Sequence, residues 1–129
     1  MRSLIVSMAK ERVSNKYPEI NVRILYSKGD REKENTPHCH VYRKDVKLCS
    51  VSLVTFEVIV GELSLSSAEK KELVEYFTEN RVYLRYAWDK CTGQTFFRPQ
   101  YIRLSEDELS QFRSRLSEVT KNDPSVFND

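Results

Sequence analysis

The segment from Ser66 to Lys90 constrains the fold most, because its apolar residues recur with the period of an α-helix. Ser66 and Glu69 have the spacing of a capping box, which satisfies backbone N–H groups at a helix start. Gly93 follows the predicted end near Lys90. The apolar stripe contains Leu73, Tyr76, Phe77, Leu84, Ala87 and Trp88. A helix of about six turns with one such stripe must cover another element.

Short strands supply the surface that this helix covers. Residue composition and turn residues predict strands at Asn21–Tyr26, His38–Arg43, Val46–Leu53 and Glu57–Leu63. The links after residue 38 are too short for parallel crossovers, and Lys44-Asp45 forms the first turn. We therefore predict an α+β fold, with an antiparallel sheet of about four strands and the long helix packed on one face.

The two ends of the chain are less regular. Apolar residues between Leu4 and Val13 fit a helix or a strand, and the polar segment 27–36 reads as a loop. We predict an extended run over Thr95–Leu104. A second capping box, Ser105 with Glu108, then begins a C-terminal helix that stops before Pro124 and a frayed end. The 129 residues form one domain, with a core at 22–91 and a C-terminal extension at 92–123.

Composition excludes several classes of protein. The apolar share of 40% supports a globular core, and no run of 18 apolar residues exists to cross a membrane. A net charge of +2 is too balanced to indicate DNA binding by itself. Three cysteines without CxxC spacing, in a chain without an export signal, indicate reduced thiols and a cytoplasmic protein.

The densest group of reactive side chains is Pro37-His38-Cys39-His40, which holds both histidines of the chain. Side chains two apart on a strand share a face, so His38, His40 and Tyr42 should point the same way. With Lys44-Asp45 as the turn, the hairpin register places Cys49 opposite His40. The candidate functional face is therefore His38, His40, Tyr42 and Cys49. The same register puts Cys39 and Cys49 on opposite faces. The histidine side should be open to solvent or a cleft if it is functional.

Two interpretations of this face stay open. His38, His40 and Cys49 carry nitrogen and sulfur donors that suit a divalent metal such as zinc, with water or a carboxylate completing the site. Alternatively, the histidines hydrogen-bond a loop and Cys49 is a small buried apolar residue. The chain contains no Ser-His-Asp, P-loop or HExxH pattern.

Two other surfaces are candidates for partners. Basic and aromatic residues at one end of the sheet offer stacking and phosphate contacts for a nucleic acid, against the simpler reading of a solvated edge. These residues are Tyr26, Lys28, Tyr42, Arg43, Lys44 and Lys47. On the long helix, Tyr83, Arg85 and Tyr86 fall beside the apolar stripe and are predicted to form a surface for a protein partner.

The order of these elements resembles a bacterial family of domains of unknown function, numbered 4160, over about residues 22–91. The resemblance rests on Pro37, His38, His40, Val41, Gly61, Leu63, Leu73 and Trp88. Thr36 and Cys39 depart from the family pattern. The resemblance marks His38 and His40 as signature positions. It also implies a small prokaryotic protein encoded beside another small protein, an arrangement like that of toxin–antitoxin pairs.

Two functions follow as hypotheses. The first is an interaction or regulatory module with a protein partner, as one member of a toxin–antitoxin-like or defence-related pair. The second is a metal-assisted hydrolase or nuclease that uses His38 and His40, in which a bound cation polarises a phosphoryl oxygen or supplies hydroxide. The second function needs carboxylates near the histidines, and the neighbouring acidic residues have no diagnostic spacing.

Overall fold

Strands and helices occupy most of residues 5–7, 10–27 and 36–122, which a computed structural model describes. The strands are β1 (Ile5–Ser7), β2 (Glu11–Arg12), β3 (Ile20–Arg23), β4 (Leu25–Ser27), β5 (His38–Arg43), β6 (Val46–Ser52) and β7 (Val58–Gly61). The helices are α1 (Ser67–Thr92), α2 (Arg98–Ile102) and α3 (Glu106–Asn122). Of the loop predicted over residues 27–36, Ser27 is instead the last residue of β4, and residues 28–35 lie outside the described residues, as does the frayed end predicted for the last five residues.

The main sheet is antiparallel, with the strand order β2-β3-β5-β6-β7, and β1 pairs with β4 in a separate two-stranded sheet. The predicted α+β class is confirmed, and the sheet has five strands instead of about four. The additional strand is β2, whose two residues pair with Val22 and Asn21 of β3. Two residues are too few to show a strand period in the sequence.

The helix considered for the residues between Leu4 and Val13 is wrong wherever the structure describes them. Ile5–Ser7 and Glu11–Arg12 are strands, because each pairs with a later segment of the chain. Leu4, Met8 and Ala9 lie outside the described residues. The predicted strand Asn21–Tyr26 is divided at Ile24, which is fully buried. β3 on one side of Ile24 joins the main sheet, and β4 on the other side joins β1.

Helix α1 begins and ends as its sequence predicts. The Ser66 hydroxyl accepts the Glu69 N–H, and the Glu69 carboxylate accepts the Ser66 N–H, which completes the capping box. Gly93 adopts a left-handed conformation and donates its N–H to the Asp89 carbonyl. The predicted stripe is buried, including Leu84 and Trp88. In the described part of the chain, no helix has the length and apolarity to cross a bilayer.

One face of the main sheet is directed towards α1. Cys39, Val41 and Arg43 alternate along β5 on this side, which we call the core face. Arg43 Nη2 lies 3.1 Å from Glu69 Oε1 in the first turn of α1, and Arg43 Nη1 lies 2.6 Å from Glu19 Oε1. By pairing with both carboxylates, Arg43 of β5 holds the start of α1 over the sheet.

The C-terminal segment confirms one prediction and corrects another. The capping box of Ser105 and Glu108 is present, and α3 follows it. The extended run predicted over Thr95–Leu104 is wrong, because Arg98–Ile102 form α2. The buried Asp89 carboxylate accepts the Phe97 N–H just before α2, and Pro99 has the backbone angle that a first helical turn requires.

Gly61 is predicted to be irreplaceable for a local reason. Its φ is +86°, and a Cβ at this position would lie 2.6 Å from the Leu48 carbonyl oxygen. We expect Gly61→Ala to lower the free energy of unfolding by about 2–3 kcal/mol, from backbone strain together with the clash. Urea denaturation followed by circular dichroism measures this change.

Gly93 supplies the matched control. It has a φ of +73°, yet nothing lies within 4 Å of the position that a Cβ would occupy. Gly93→Ala should therefore cost only the left-handed backbone term, about 1 kcal/mol. Equal losses for the two variants would show that the close approach to β6 adds nothing.

Glu69 is predicted to make stability pH-dependent. Its hydrogen bond with Arg43, followed by that with the Ser66 N–H, holds the pKa of Glu69 below its ordinary value. The ionised form is thus favoured in the folded state, so Glu69 stabilises the fold above the unfolded pKa of about 4.3. That contribution is lost as the pH falls through the lower folded pKa.

We expect Glu69→Gln to be less stable than the parent at neutral pH and to lose less stability on acidification. Unfolding free energies measured from pH 7 down to pH 2 give both quantities. Glu75→Gln, an exposed change on the same helix, is the control. Parallel pH curves for the parent and Glu69→Gln would contradict the prediction.

Candidate functional site

The histidine face is the side of β5 that carries His38, His40 and Tyr42. Strand alternation brings these three side chains together as predicted. The His38 and His40 ring centroids are 5.1 Å apart, and those of His40 and Tyr42 are 6.4 Å apart. The sequence therefore predicted this row of rings correctly.

The fourth predicted member, Cys49, does not belong to this face. Tyr42 pairs with Lys47 as predicted, but Val41 then pairs with Cys49 and His40 with Ser50. Leu48 is the additional residue of a bulge, which shifts the register by one. A shift of one residue moves a side chain to the other side of the sheet. The prediction that Cys49 lies opposite His40 is wrong, and Ser50 occupies that position.

The two cysteines near the turn consequently lie on the same core face, and the prediction that they are on opposite faces is also wrong. Cys49 pairs with Val41, and Cys39 pairs with Val51. Both cysteines are buried and neither forms a disulfide. Burial raises the pKa of the Cys39 thiol far above its ordinary value, so it remains protonated and is a poor nucleophile.

Burial of the histidines differs from the open face that a functional role predicts. His38 is 4% exposed and His40 is 6% exposed. The Trp88 ring of α1 lies 5.2 Å from the His38 ring, so helix α1 reaches this end of the face. His38 Nδ1 is 2.8 Å from the Thr36 carbonyl oxygen, which confirms the predicted contact with a loop.

Arg23 covers the opposite end of the row of rings. Its guanidinium carbon lies 4.0 Å from the centroid of the Tyr42 ring, within the range of a cation–π contact. The same group donates to the Asn21 Oδ1 at 2.8 Å and to the Asp45 Oδ1 at 2.9 Å. The hydrogen bond from Arg23 lowers the pKa of Asp45. The cation is thus held in place by the turn between β5 and β6.

The metal-ligand set of His38, His40 and Cys49 is not assembled, because Cys49 lies across the sheet from both rings. Among the residues that the structure describes, no group of three His, Cys, Asp or Glu side chains is placed to hold a metal ion. Of the three predicted ligands, only the two imidazoles lie on the histidine face, so a zinc site there stays a prediction.

A second surface, which the sequence did not single out, lies at the outer strand of the sheet. Val58 and Val60 of β7 are 41% and 39% exposed. Phe56, Val74 and Phe77 line a neighbouring groove of about 300 Å³ together with Thr78 and Arg81. The Phe56 and Phe77 rings are 5.2 Å apart. We call β7 and this groove the edge surface.

The partly exposed surface predicted at Tyr83, Arg85 and Tyr86 of α1 is wrong for Tyr83, whereas Arg85 and Tyr86 are half-buried. Tyr83 is 1% exposed, and the Tyr86 ring packs 5.1 Å from that of Phe112 in α3. Arg85 donates to the carbonyl oxygens of Leu53 and Val54, which ties α1 to the end of β6. These side chains connect α1 to α3 and to the sheet, because α3 covers the side of α1 on which the sequence predicted a partner surface.

The predicted basic surface for nucleic acid is only partly available. Arg43 is engaged by Glu19 and Glu69, and the Tyr42 ring is covered by Arg23. Lys44 and Lys47 are exposed near the turn. The side chains of Tyr26 and Lys28 lie outside the described residues. Nucleic-acid binding stays a prediction.

A family model matches the central part of the chain. The family model described as "Domain of unknown function (DUF4160)" matches residues 22–89, which is more than half of the chain. The matched segment runs from β3 to the last turns of α1, and so includes both the histidine face and the edge surface. No curated protein and no solved structure matches the chain.

Proposed function

Because the chain belongs to DUF4160, a family of domains of unknown function, we propose its function from its own surface: it is a small protein-binding module. It regulates, or is regulated by, one partner protein that it binds through the edge surface. The partner is the small protein encoded beside it in a prokaryotic genome, in a cytoplasmic pair of the toxin–antitoxin or defence kind. The resemblance supports this arrangement, and the edge surface supports the mode of binding.

The observation that carries this proposal is the exposure of apolar side chains where the sheet ends. Val58 and Val60 are about two fifths exposed on β7, and Val74 is 61% exposed on α1. Val74 lines a groove together with Phe56 and Phe77, and Phe56 precedes β7 by two residues. Exposed apolar groups clustered with a groove mark an interaction site more often than scattered surface residues do. Burying them against a partner is favourable by the hydrophobic effect.

Binding to the product of the adjacent gene tests the proposal. We expect the purified proteins to form a complex by size-exclusion chromatography with light scattering, and titration calorimetry gives its dissociation constant. Val58→Ser combined with Val74→Ser should weaken binding at least 10-fold, because a central apolar contact is removed. Neither change alters the core, since both side chains are exposed.

Val46→Ser is the matched control. Val46 is an exposed valine of β6, 66% exposed, at the turn end of the hairpin and away from β7. It should leave the dissociation constant unchanged. A complex that is equally weakened by Val46→Ser, or no complex at all with the neighbouring protein, would contradict the proposed function.

A second proposal, a metal-assisted hydrolase or nuclease, has one supporting observation: two imidazole rings lie 5.1 Å apart on one face. His38→Ala with His40→Ala separates the two functions. The enzyme proposal expects this double variant to lose bound zinc and any hydrolysis of a phosphodiester substrate while the complex with the protein partner survives. Loss of stability alone would make the pair structural.

A further inference from the structure

We infer that the partner binds as an extended, basic segment that adds a strand to the outer edge of β7. This inference rests on the proposed function and specifies the partner's chemistry. An added strand bonds through its backbone, while its alternate side chains contact the surfaces on either side. The features that support it are the edge position of β7, the placement of its valines and the charges that flank it.

Strand β7 has the composition of an edge that accepts another strand. It pairs with β6 on one side, and no strand in the described part of the chain pairs with its other side. Natural edge strands are commonly protected by lysine, proline, an inward charge, a bulge or a short length. Strand β7 is short and carries a bulge at Ile59, but its sequence, Val-Ile-Val-Gly, puts no lysine, proline or charge on the edge. Within the described residues, no strand uses its outer backbone groups, so an added strand would meet no charge inside β7.

The register of β7 places one exposed valine on each side of the sheet. Val58 pairs with Val51 on the core face, whereas Val60 pairs with Ser50 on the histidine face. Ile59 is the additional residue between them, which produces this change of side. An added strand would therefore find an apolar contact on both faces. Phe56, which lines the groove, precedes the first residue of β7 by two positions.

The flanking charges decide between a second copy of the chain and a different partner. Glu57 and Glu62 lie immediately before and after β7, and both are exposed. Antiparallel pairing of two copies, centred on β7, would put Glu57 of one copy opposite Glu62 of the other. Like charges opposite each other destabilise a strand pair. A segment with lysine or arginine at both ends converts these repulsions into attractions.

A synthetic peptide tests the pairing directly. The probe is acetyl-Lys-Lys-Val-Thr-Val-Thr-Lys-amide, added to the whole protein and followed by amide chemical shifts at residues 57–62. Two further peptides carry backbone N-methyl groups, one on both valines and the other on both threonines. Alternate amides of a strand point in opposite directions. We expect one methylated peptide to bind at least 10-fold more weakly than the other.

Charge reversal provides the second test. In the double variant Glu57→Lys with Glu62→Lys, affinity for the basic peptide should fall at least 10-fold at low salt. The same variant should prefer a peptide with glutamate in place of each lysine. Glu106→Lys with Glu118→Lys, on exposed positions of α3, gives the same net charge and should change neither affinity.

The outcomes distinguish this inference from the proposed function. Equal effects of the two methylated peptides, no shift at residues 57–62 with the basic peptide, or a dimer of the chain itself would overturn strand addition. The complex with the neighbouring protein, and its loss in the Val58→Ser and Val74→Ser variant, would still support a protein-binding module. Absence of that complex removes the proposed function, whatever the peptides show.

Discussion

Trp88→Ala is expected to lower the free energy of unfolding by about 3–5 kcal/mol, a large share of the stability of a domain of this size. The indole is 1% exposed on α1. Its Nε1–H donates to the Gln94 Oε1 at 3.1 Å, and its ring lies 5.2 Å from that of His38. The alanine variant loses this packing and leaves a cavity between α1 and the sheet. Urea denaturation followed by circular dichroism measures the loss.

Ile102→Ala is the control for this prediction, because Ile102 is 82% exposed on α2. Its unfolding free energy should remain within about 0.5 kcal/mol of the parent value. If the Trp88→Ala variant is fully unfolded at room temperature, the Trp88→Phe variant is measured instead. Phenylalanine keeps most of the side-chain volume, so this variant should have a measurable but reduced stability. An unchanged melting temperature for Trp88→Ala would mean that the indole is a surface contact.

Helix α1 could be predicted from the sequence because its signals are local. Ser66, Glu69 and Gly93 determine its ends through hydrogen bonds to nearby backbone. The stripe from Leu73 to Trp88 repeats within one helix, so its period is visible without knowledge of the covering element. The order of the strands after residue 38 was also predictable, since short links allow only antiparallel neighbours.

The position of Cys49 could not be predicted, because the bulge at Leu48 has no local sequence signal. The turn at Lys44-Asp45 and the pairing of Tyr42 with Lys47 are as predicted. One additional residue then exchanges the two faces for the rest of the strand. Cys49 therefore lies on the opposite face of the sheet from His38 and His40, the other two predicted zinc ligands.

Exposure and burial depend on which elements become neighbours, and this is a tertiary property. The sequence identified His38 and His40 but not their burial near Trp88 of α1. It predicted a strand over Glu57–Leu63, but only the strand order makes β7 the edge of the sheet. The burial of Tyr83 likewise depends on α3, which begins more than 20 residues later.

A partly buried polar network joins β2 and α3, which flank the segment that the family model matches, to α1. The Glu11 carboxylate of β2 accepts hydrogen bonds from the Tyr76 hydroxyl of α1 and from Arg115 of α3. Arg115 Nε also donates to the Asn80 Oδ1 at 3.0 Å. Burial, followed by the charge of Glu11, raises the pKa of Tyr76, so its hydroxyl remains a donor. The network thus holds β2 and α3 against α1.

Arg115→Met is expected to lower the free energy of unfolding by about 3–5 kcal/mol, because it leaves a buried carboxylate without its cation. The Glu11 side chain is only 9% exposed. The double variant Glu11→Gln with Arg115→Met should lose less unfolding free energy than the sum of the two single variants. The reason is that Glu11→Gln removes the negative charge that Arg115→Met leaves unpaired. Arg81→Met is the control: Arg81 and Glu108 form a surface pair, 46% and 38% exposed, worth at most about 1 kcal/mol. Additive losses in the double variant, or equal losses for Arg115→Met and Arg81→Met, would show that α3 is held to the domain by apolar packing alone.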